Sequence, residues 1–156
     1  MSSKATFGAG CFWGVEARFR QVPGVVDAKV GYMGGEVENP SYRQVCTDTT
    51  GHVEVVEVEF DPDQVAYETL ARAFFSMHDP TQVNRQGPDV GTQYRSVIFY
   101  HDEAQKAGAE AVRQEMERSG RFPGPIATSI EPAGVFWMAE EYHQRYLERQ
   151  GGSCSI

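Results

Sequence analysis

The sequence predicts an α+β fold, a two-layer sandwich in which a mixed or antiparallel sheet is covered by helices. Segments with strand and helix patterns mix along the chain without strict alternation, which favours this class. The composition is that of an ordinary globular protein, with 40% hydrophobic and 12% aromatic residues in 156. That length suits one domain, which we place at residues 1–150, followed by a flexible tail over 151–156 that carries Cys154.

Apolar spacing and turn residues define the elements of the first half of the chain. Residues 38–51 are rich in Asn, Pro, Ser, Thr and Gly and therefore predict a loop. The elements around this loop are a strand over 4–9, a helix over 12–20 with Phe12, Val15 and Phe19 at helical spacing, a strand over 24–35 that ends in a glycine turn, and a valine-rich, partly alternating strand over 52–60.

The second half of the chain shows the same mixture. Residues 79–93 have no period at all and predict a long loop. The regular elements are an amphipathic helix over 66–78, a strand over 94–101, a helix over 102–120 with Asp102 and Gln105 as a capping box and Gly120 as its stop, a weak strand over 126–132, and a last helix over 138–150.

Charge and cysteine content exclude several classes of protein. The net charge of −8 argues against a nucleic-acid or anionic-membrane partner, because such binding draws on Lys and Arg. No apolar run approaches a membrane span, and the first residues do not resemble a signal peptide, so we expect a cytoplasmic protein. The three widely spaced cysteines are a poor disulfide framework, and no pair has metal-ligand spacing, so we expect no metal site.

Cys11 is the candidate nucleophile. It lies where a predicted strand gives way to a predicted helix, and the positive end of a helix dipole stabilises a thiolate. We expect the small residues Gly8 and Gly10 to leave room for a substrate beside the sulfur. The alternative is a buried structural cysteine.

Trp13 is the candidate wall of a pocket. The apolar stripe of the first helix runs through Phe12, Val15 and Phe19, and Trp13 lies about 100° of helix rotation away from it. The core does not account for this side chain, which suggests contact with a small apolar group. A tryptophan covered by a neighbouring loop would explain the pattern as well.

Glu54 is predicted to point inward. Alternate side chains of a strand share a face, so Glu54 joins Val56 and Val58 while Glu57 and Glu59 fall on the opposite face. A carboxyl removed from water tends to keep its proton and can then donate it to a polar oxygen of a substrate. A β-bulge in the middle of the strand would break this phase and return the carboxyl to water.

The loops and the tail hold further candidates. The loop over 79–93 contains Asp89 and leads into Tyr94, and the earlier loop contains Tyr42 and Cys46. Tyrosine hydroxyls can donate to an oxygen while their rings wall an apolar site, although a half-buried core position is the simpler interpretation for any one of them.

Cys154 follows a glycine pair near the end of the chain. The residues after Gln150 could span roughly 16 Å, enough for this thiol to reach a neighbouring site. The alternative is an incidental cysteine.

Several ordered blocks of the chain resemble the type A peptide methionine sulfoxide reductases. The resemblance covers most of the sequence, and residues 101–137 are its least diagnostic part. The blocks are "GCFWGVE" at 10–16, "GYMGG", "NPSYRQVC", "TGHVEVVEVEFDP", "HDP", "RQG", "GTQYRS" and, near the end, "AEEYHQRYL".

The resemblance implies a ferredoxin-like core containing a βαβ unit and thiol-dependent reduction of methionine S-sulfoxide, free or in proteins. It implies no bound metal or organic cofactor. The implied roles are nucleophile for Cys11, methyl pocket for Phe12 and Trp13, proton donor for Glu54, oxygen binding for Tyr42 and Tyr94, and membership of the same polar network for Asp89.

The resemblance also implies how the enzyme is recycled. Cys11 becomes a sulfenic acid, which condenses with a second thiol. Cys154 is the candidate resolving cysteine, and a thioredoxin-like partner would reduce the resulting disulfide. Many relatives have a longer tail with two cysteines, which leaves Cys46 as a less favoured alternative. Many also have glycine near Asp48 and alanine at Val53, and we expect these differences to tune the loop and the packing, not the chemistry. We expect a monomer.

Two other functions fit some of these residues. A cysteine hydrolase or acyl transferase would pair Cys11 with a histidine such as His52. A non-catalytic module would use the aromatic residues only as a platform for a small ligand or peptide.

Overall fold

The computed structural model describes residues 2–147. Its strands are β1 (Ser3–Ala9), β2 (Val25–Met33), β3 (Val53–Phe60), β4 (Arg85–Gln86), β5 (Asp89–Val90), β6 (Ser96–Tyr100), β7 (Ser129–Pro132) and β8 (Trp137–Met138). Its helices are α1 (Phe12–Arg20), α2 (Tyr42–Val45), α3 (Tyr67–Ser76) and α4 (Glu103–Arg118), with 3₁₀ turns at Thr92–Tyr94 and Glu141–His143. No helix within the described residues is long and apolar enough to cross a membrane.

Six strands form one mixed sheet in the order β7-β6-β1-β3-β2-β8. All neighbours are antiparallel except β6 and β7, which run parallel. Strands β4 and β5 form a separate two-stranded hairpin. The predicted α+β class, a mixed sheet with helices, is confirmed.

The principal core lies between the sheet and helices α1 and α3. Phe7 of β1 is fully buried at its centre and stacks on three rings. Its ring centroid lies 5.0 Å from that of Phe19, 5.3 Å from that of Phe74 and 6.2 Å from that of Tyr67. Large apolar rings removed from water supply most of the free energy that holds the two layers together.

A smaller apolar cluster covers the other face of the sheet. It contains Met33, Val53, Val55, Val97 and Phe99, all of them buried. Strand β3 is therefore buried on both faces at its N-terminal end, while Glu57 and Glu59 farther along are partly exposed. This arrangement places the first residues of β3 in a dry environment.

Most predicted elements are confirmed within a few residues, and helix 12–20 agrees at both ends. The capping box at Asp102 is half formed. Asp102 accepts from the backbone N–H of Gln105 at 2.8 Å, but the Gln105 side chain accepts from the N–H of His101. Gly120 has a φ of 69°, which suits its predicted place just after the helix.

Both predicted loops contain regular structure that the sequence analysis missed. Residues 38–51 include α2, which Ser41 begins with a capping box to Gln44. Residues 79–93 include the β4–β5 hairpin and the start of the Thr92–Tyr94 turn. Elements this short carry no detectable period, so side-chain and backbone hydrogen bonds alone define them.

The predicted helix over 138–150 is wrong from Met138 to Arg145, whereas Tyr146 and Leu147, the last described residues, are helical. Met138 belongs to β8, Glu141–His143 is a single 3₁₀ turn, and Arg145 has a φ of 55° that ends any helical path. The Gln144 side chain instead pairs with both backbone groups of Val30 at 2.9 Å. Tertiary hydrogen bonds thus override the helical pattern. The rest of that prediction and the tail with Cys154 lie outside the described residues.

Phe7→Ala should lower the free energy of unfolding by about 3 to 5 kcal/mol, because it removes a fully buried ring and leaves a cavity. Urea denaturation followed by circular dichroism measures the change. Val26→Ala is the control, since Val26 is 61% exposed and should change stability by less than about 0.5 kcal/mol. A loss below about 1 kcal/mol for Phe7→Ala would contradict this description of the core.

Candidate active site

Cys11 lies between β1 and α1, at the N-cap position of the helix. Cys11 is partly exposed, which excludes the alternative of a buried structural cysteine. Strand β1 pairs with β3 on one side and β6 on the other, so Cys11 follows a central strand of the sheet. The first backbone N–H groups of a helix have no partner within that helix, and their positive partial charge favours a thiolate at this end.

The prediction that Gly8 and Gly10 make room for a substrate is wrong. A Cβ on Gly8 would lie 2.7 Å from a methyl of Val53 and 3.0 Å from one of Val97, so this glycine serves close packing within the sheet. Gly10 has a φ of 90°, and a Cβ there would lie 2.8 Å from the Gln86 side chain. Gly10 shapes the turn before Cys11, and neither glycine lines open space.

Glu54 is buried, as the alternation of β3 predicts. It is 1% exposed, and the pairing between β2 and β3 runs without a shift from Val53 to Glu59, so no bulge interrupts the phase. The backbone N–H of Phe12 donates to Oε1 of Glu54 at 3.3 Å. Because Phe12 directly follows Cys11, this bond fixes the carboxyl beside the N-cap. The other oxygen, Oε2, is buried and has no hydrogen-bond partner within residues 2–147.

Burial raises the pKa of Glu54 to about 8. The hydrogen bond from Phe12 lowers it and the charge of Asp89 raises it, both to smaller extents. The side chain therefore keeps its proton at neutral pH. A neutral carboxyl with an unpartnered oxygen is suited to donating a hydrogen bond or a proton to an oxygen atom placed against it.

Two tyrosines lie within electrostatic range of this carboxyl. Tyr42 begins α2 and Tyr94 ends the Thr92–Tyr94 turn, and both are partly buried. Burial first, and the charge of Glu54 second, raise the pKa of both hydroxyls. The charges of Asp89 and Cys11 raise the pKa of Tyr94 further. Both hydroxyls stay protonated and can donate hydrogen bonds.

Aromatic rings cluster at the first turn of α1, directly after Cys11. Phe12 is 1% exposed, and its ring centroid lies 6.5 Å from that of Trp13 and 6.2 Å from that of Tyr42. Trp13 is partly exposed and stacks on Tyr146 at 4.0 Å. The segment that contains Tyr146 therefore covers part of Trp13, as the alternative interpretation predicts. Trp13 still presents an apolar surface next to Cys11, whereas Phe12 supports it from within the core.

The residues that hold these rings in place have no local signal in the sequence. The indole N–H of Trp13 donates to Nδ1 of His143 at 2.9 Å. Glu140 accepts from the Tyr32 hydroxyl and from the Tyr42 backbone N–H, both at 3.0 Å. All these acceptors come from the segment that was predicted to be a helix. Only the "AEEYHQRYL" block, which contains Glu140 and His143, could have marked them.

His52 does not face Cys11 as a base. Its Nδ1 accepts from the backbone N–H of Gly35 at 3.0 Å, and its Nε2 lies 2.7 Å from the carbonyl of Val37. Both ring nitrogens are engaged in holding the loop after β2, and the side chain is buried. Hydrolase chemistry that uses this histidine therefore has no geometric support.

Of the other two cysteines, only Cys46 is described. It is exposed, ends α2 and hydrogen-bonds the Tyr42 side chain. Burial raises its pKa, and the charges of Glu54 and Glu140 raise it further against the Tyr42 hydrogen bond. The thiolate at Cys46 is thus disfavoured. Within residues 2–147 no group of three or more His, Cys, Asp or Glu side chains could hold a metal ion.

Replacing Glu54 should change how stability depends on pH. The pKa of Glu54 is about 8 in the folded protein against an ordinary 4.5, so the folded state binds this proton more tightly. Stability therefore falls as pH rises from about 4.5 to about 8. Glu54→Gln does not titrate. Its melting temperature relative to the unchanged protein should rise by more than about 5 °C between pH 5 and pH 9, measured by calorimetry.

Glu57→Gln is the matched control, because this carboxyl lies on the same strand with its side chain partly exposed. It should show no comparable rise. An equal pH dependence for the Glu54 and Glu57 variants would contradict a protonated Glu54.

The comparisons with known proteins agree with one another. A family model described as peptide methionine sulfoxide reductase matches residues 3–156. The chain is 61% identical over 155 residues to "Peptide methionine sulfoxide reductase MsrA" of Acidobacterium capsulatum, covering 99% of each chain. Methanothermobacter thermautotrophicus has a relative of the same name that is 65% identical over 146 residues, with 94% of this chain and 86% of the relative covered.

Solved structures give the same result. The reduced form of Mxr1 from Saccharomyces cerevisiae superposes with a TM-score of 0.92 at 38% identity, covering 99% of this chain and 88% of Mxr1. Mxr1 in complex with Trx2 superposes with a TM-score of 0.66 at 28% identity, covering 93% and 84%. The family match spans nearly the whole chain and includes the strand, helix and loops that surround Cys11. The chain belongs to the peptide methionine sulfoxide reductase family.

Proposed function

We propose that Cys11 is the nucleophile and Glu54 the proton donor in the reduction of methionine S-sulfoxide, free or in proteins. The observation that carries this assignment is the buried, unpartnered Oε2 of Glu54 next to the N-cap cysteine. A protonated carboxyl is expensive to bury without a partner, so the site is suited to an oxygen atom that a substrate brings.

The polarity of the site supports a sulfoxide as that substrate. A methionine sulfoxide combines a polar S–O bond with an apolar methyl group on one sulfur atom. In the proposal, the oxygen takes hydrogen bonds from Glu54, Tyr42 and Tyr94, and the methyl group lies against Trp13. Phe12 backs this wall from the core, and Asp89 acts through the polar network, where its charge raises the pKa of Glu54 and of Tyr94.

The proposed reaction transfers one oxygen atom. The Cys11 thiolate attacks the sulfoxide sulfur and forms an S–S bond. Glu54 protonates the oxygen, which takes a second proton from solvent and leaves as water when the S–O bond breaks. Water then attacks the Cys11 sulfur, the S–S bond breaks to release methionine, and one proton returns to solvent. The products are methionine and a sulfenic acid on Cys11. The methionine sulfur gains two electrons and the cysteine sulfur loses two, so no bound cofactor is needed. Proton donation lowers the barrier, because the oxygen would otherwise leave with a full negative charge.

We propose that Cys154 resolves the sulfenic acid. Its thiol would displace water to form a Cys11–Cys154 disulfide, and the dithiol of a thioredoxin would reduce that disulfide by exchange. The complex of Mxr1 with Trx2 supports a thioredoxin as partner. The raised pKa of Cys46 makes it the weaker candidate, since the thiolate is the form that attacks.

The finer fold and domain assignments belong to the same proposal. The strand order β6-β1-β3-β2, with every neighbouring pair antiparallel, supports a ferredoxin-like core in which β3 is inserted between β1 and β2. The domain boundary at residue 150, the monomeric state and the cytoplasmic location stay predictions. The hydrolase and the non-catalytic module are not favoured, because the family's established reaction is sulfoxide reduction.

The stereochemistry and the nucleophile can be tested together by counting thiols. One pulse of methionine S-sulfoxide on the reduced protein should remove two thiols and release one methionine per chain, because a sulfenic acid forms and then condenses. The R epimer should remove none, and Cys11→Ser should neither lose thiols nor release methionine. Consumption of both epimers at equal rates, or turnover by Cys11→Ser, would reject the assignment.

The resolving step has its own test. Cys154→Ser should still release one methionine per chain in a single turnover, because the first chemical step needs only Cys11. Its steady-state rate with thioredoxin should fall at least tenfold, and Cys46→Ser should keep both activities. If the thioredoxin-driven rate survives in Cys154→Ser and is lost in Cys46→Ser, the resolving thiol is Cys46.

A further inference from the structure

Asp48 joins two loops that are far apart in the sequence. Its Oδ1 accepts from the backbone N–H of Thr92 at 3.0 Å and also from the Thr92 hydroxyl. Asp48 has a φ of 60°, a conformation that glycine adopts more easily than aspartate. A non-glycine residue is thus kept in an unfavourable backbone conformation, from which its carboxylate reaches the other loop.

This contact fixes the start of the turn that carries Tyr94. Thr92 is the first residue of the Thr92–Tyr94 turn, and Gly91 before it has no side chain with which to cap the turn. Asp48 supplies the missing acceptor from outside the segment. Asp48 also follows α2 closely, and α2 begins with Tyr42. The bond therefore links the two loops that present the two tyrosine hydroxyls.

A second contact between the same loops is longer. The Arg95 guanidinium donates to the carbonyl of Thr92 at 3.0 Å and to that of Gly51 at 3.4 Å. Of these two hydrogen bonds, only the one from Arg95 to Gly51 joins the two loops, and its length is at the limit for a hydrogen bond. Asp48 makes the shorter of the two links and makes it to two donors of one residue.

The sequence predicts that Asp48 tunes its loop and not the chemistry. We propose instead that Asp48 is a positioning residue for sulfoxide reduction, which sets the placement of Tyr94 relative to Tyr42 through its bonds to Thr92. The inference rests on the proposed role of Tyr94 as a donor to the sulfoxide oxygen. Asp48 and its bonds to Thr92 are exposed, so they contribute little to the free energy of unfolding. Their effect falls on geometry, because a donor displaced by about 1 Å can cost a large part of its contribution to the rate.

Asp48→Gly removes the carboxylate at a position where glycine suits the backbone. We expect the melting temperature to stay within about 2 °C, because relief of the positive φ offsets the lost exposed bonds. The first-turnover rate constant at saturating methionine S-sulfoxide, measured on reduced protein without thioredoxin, should fall about tenfold. Asp48→Asn keeps the oxygen that accepts from Thr92 and should recover most of that rate.

Asn39→Gly is the matched control. Asn39 is exposed, has a φ of 46° and precedes α2 in the same loop, so this change repeats the backbone substitution and leaves Asp48 in place. It should leave the first-turnover rate unchanged. An equal loss in Asn39→Gly would assign the effect to loop flexibility and overturn the proposal.

A double-mutant cycle with Tyr94→Phe separates the inference from the function on which it rests. If Tyr94→Phe slows the first turnover and Asp48→Gly adds less than about twofold to it, Asp48 acts through Tyr94 as proposed. If Asp48→Gly costs the same factor in both backgrounds, or nothing in the unchanged protein, the positioning role is wrong while Tyr94 stays a donor. If Tyr94→Phe has no effect, the role of Tyr94 fails, and the inference with it.

Discussion

The site depends on one constraint, a carboxyl held out of water at the first turn of α1. Glu54 is a single acidic position in an otherwise apolar stretch of β3, and the sheet surrounds it on both sides. Desolvation raises its pKa to about 8, and the backbone N–H of Phe12 keeps one of its oxygens next to Cys11. Cys11, the proposed nucleophile, follows β1 closely, and Glu54, the proposed proton donor, lies on the adjacent strand β3, so the pairing of these two strands limits their separation. No flexible loop has to bring these two groups together.

The remaining parts of the site are attached to this pair by the C-terminal segment. Glu140 fixes Tyr42, His143 fixes Trp13, and the backbone N–H of Arg145 donates to buried Glu16 on α1 at 2.8 Å. These bonds join positions 98 to 130 residues apart in the chain. The polar residues of this segment therefore make contacts with the site, which explains why the segment folds back over α1 and is not helical from Met138 to Arg145.

Local physical chemistry was sufficient for part of this structure. The alternation of β3 predicts the inward direction of Glu54, and helical spacing predicts α1 to the residue, because each of these patterns reports directly on one buried face. Local patterns do not predict the role of a residue when that role depends on residues distant in the sequence. Gly8 has no side chain because Val53 and Val97 fill the space, and no local pattern reveals neighbours from two other strands. The sequence pattern likewise does not reveal the hydrogen bonds that His143 and Glu140 accept, because their donors come close only when the chain folds.

The protonation state of Glu54 can be measured directly. Carbon-13 labelling of the glutamate carboxyls, with Glu54→Gln to assign the resonance, allows the titration to be followed by NMR in the resting reduced protein. The account predicts a midpoint near pH 8 for this one carboxyl, well above the ordinary value of 4.5. A midpoint near 4.5 would mean that the group is ionised at neutral pH and cannot supply the proton, which would contradict the central claim.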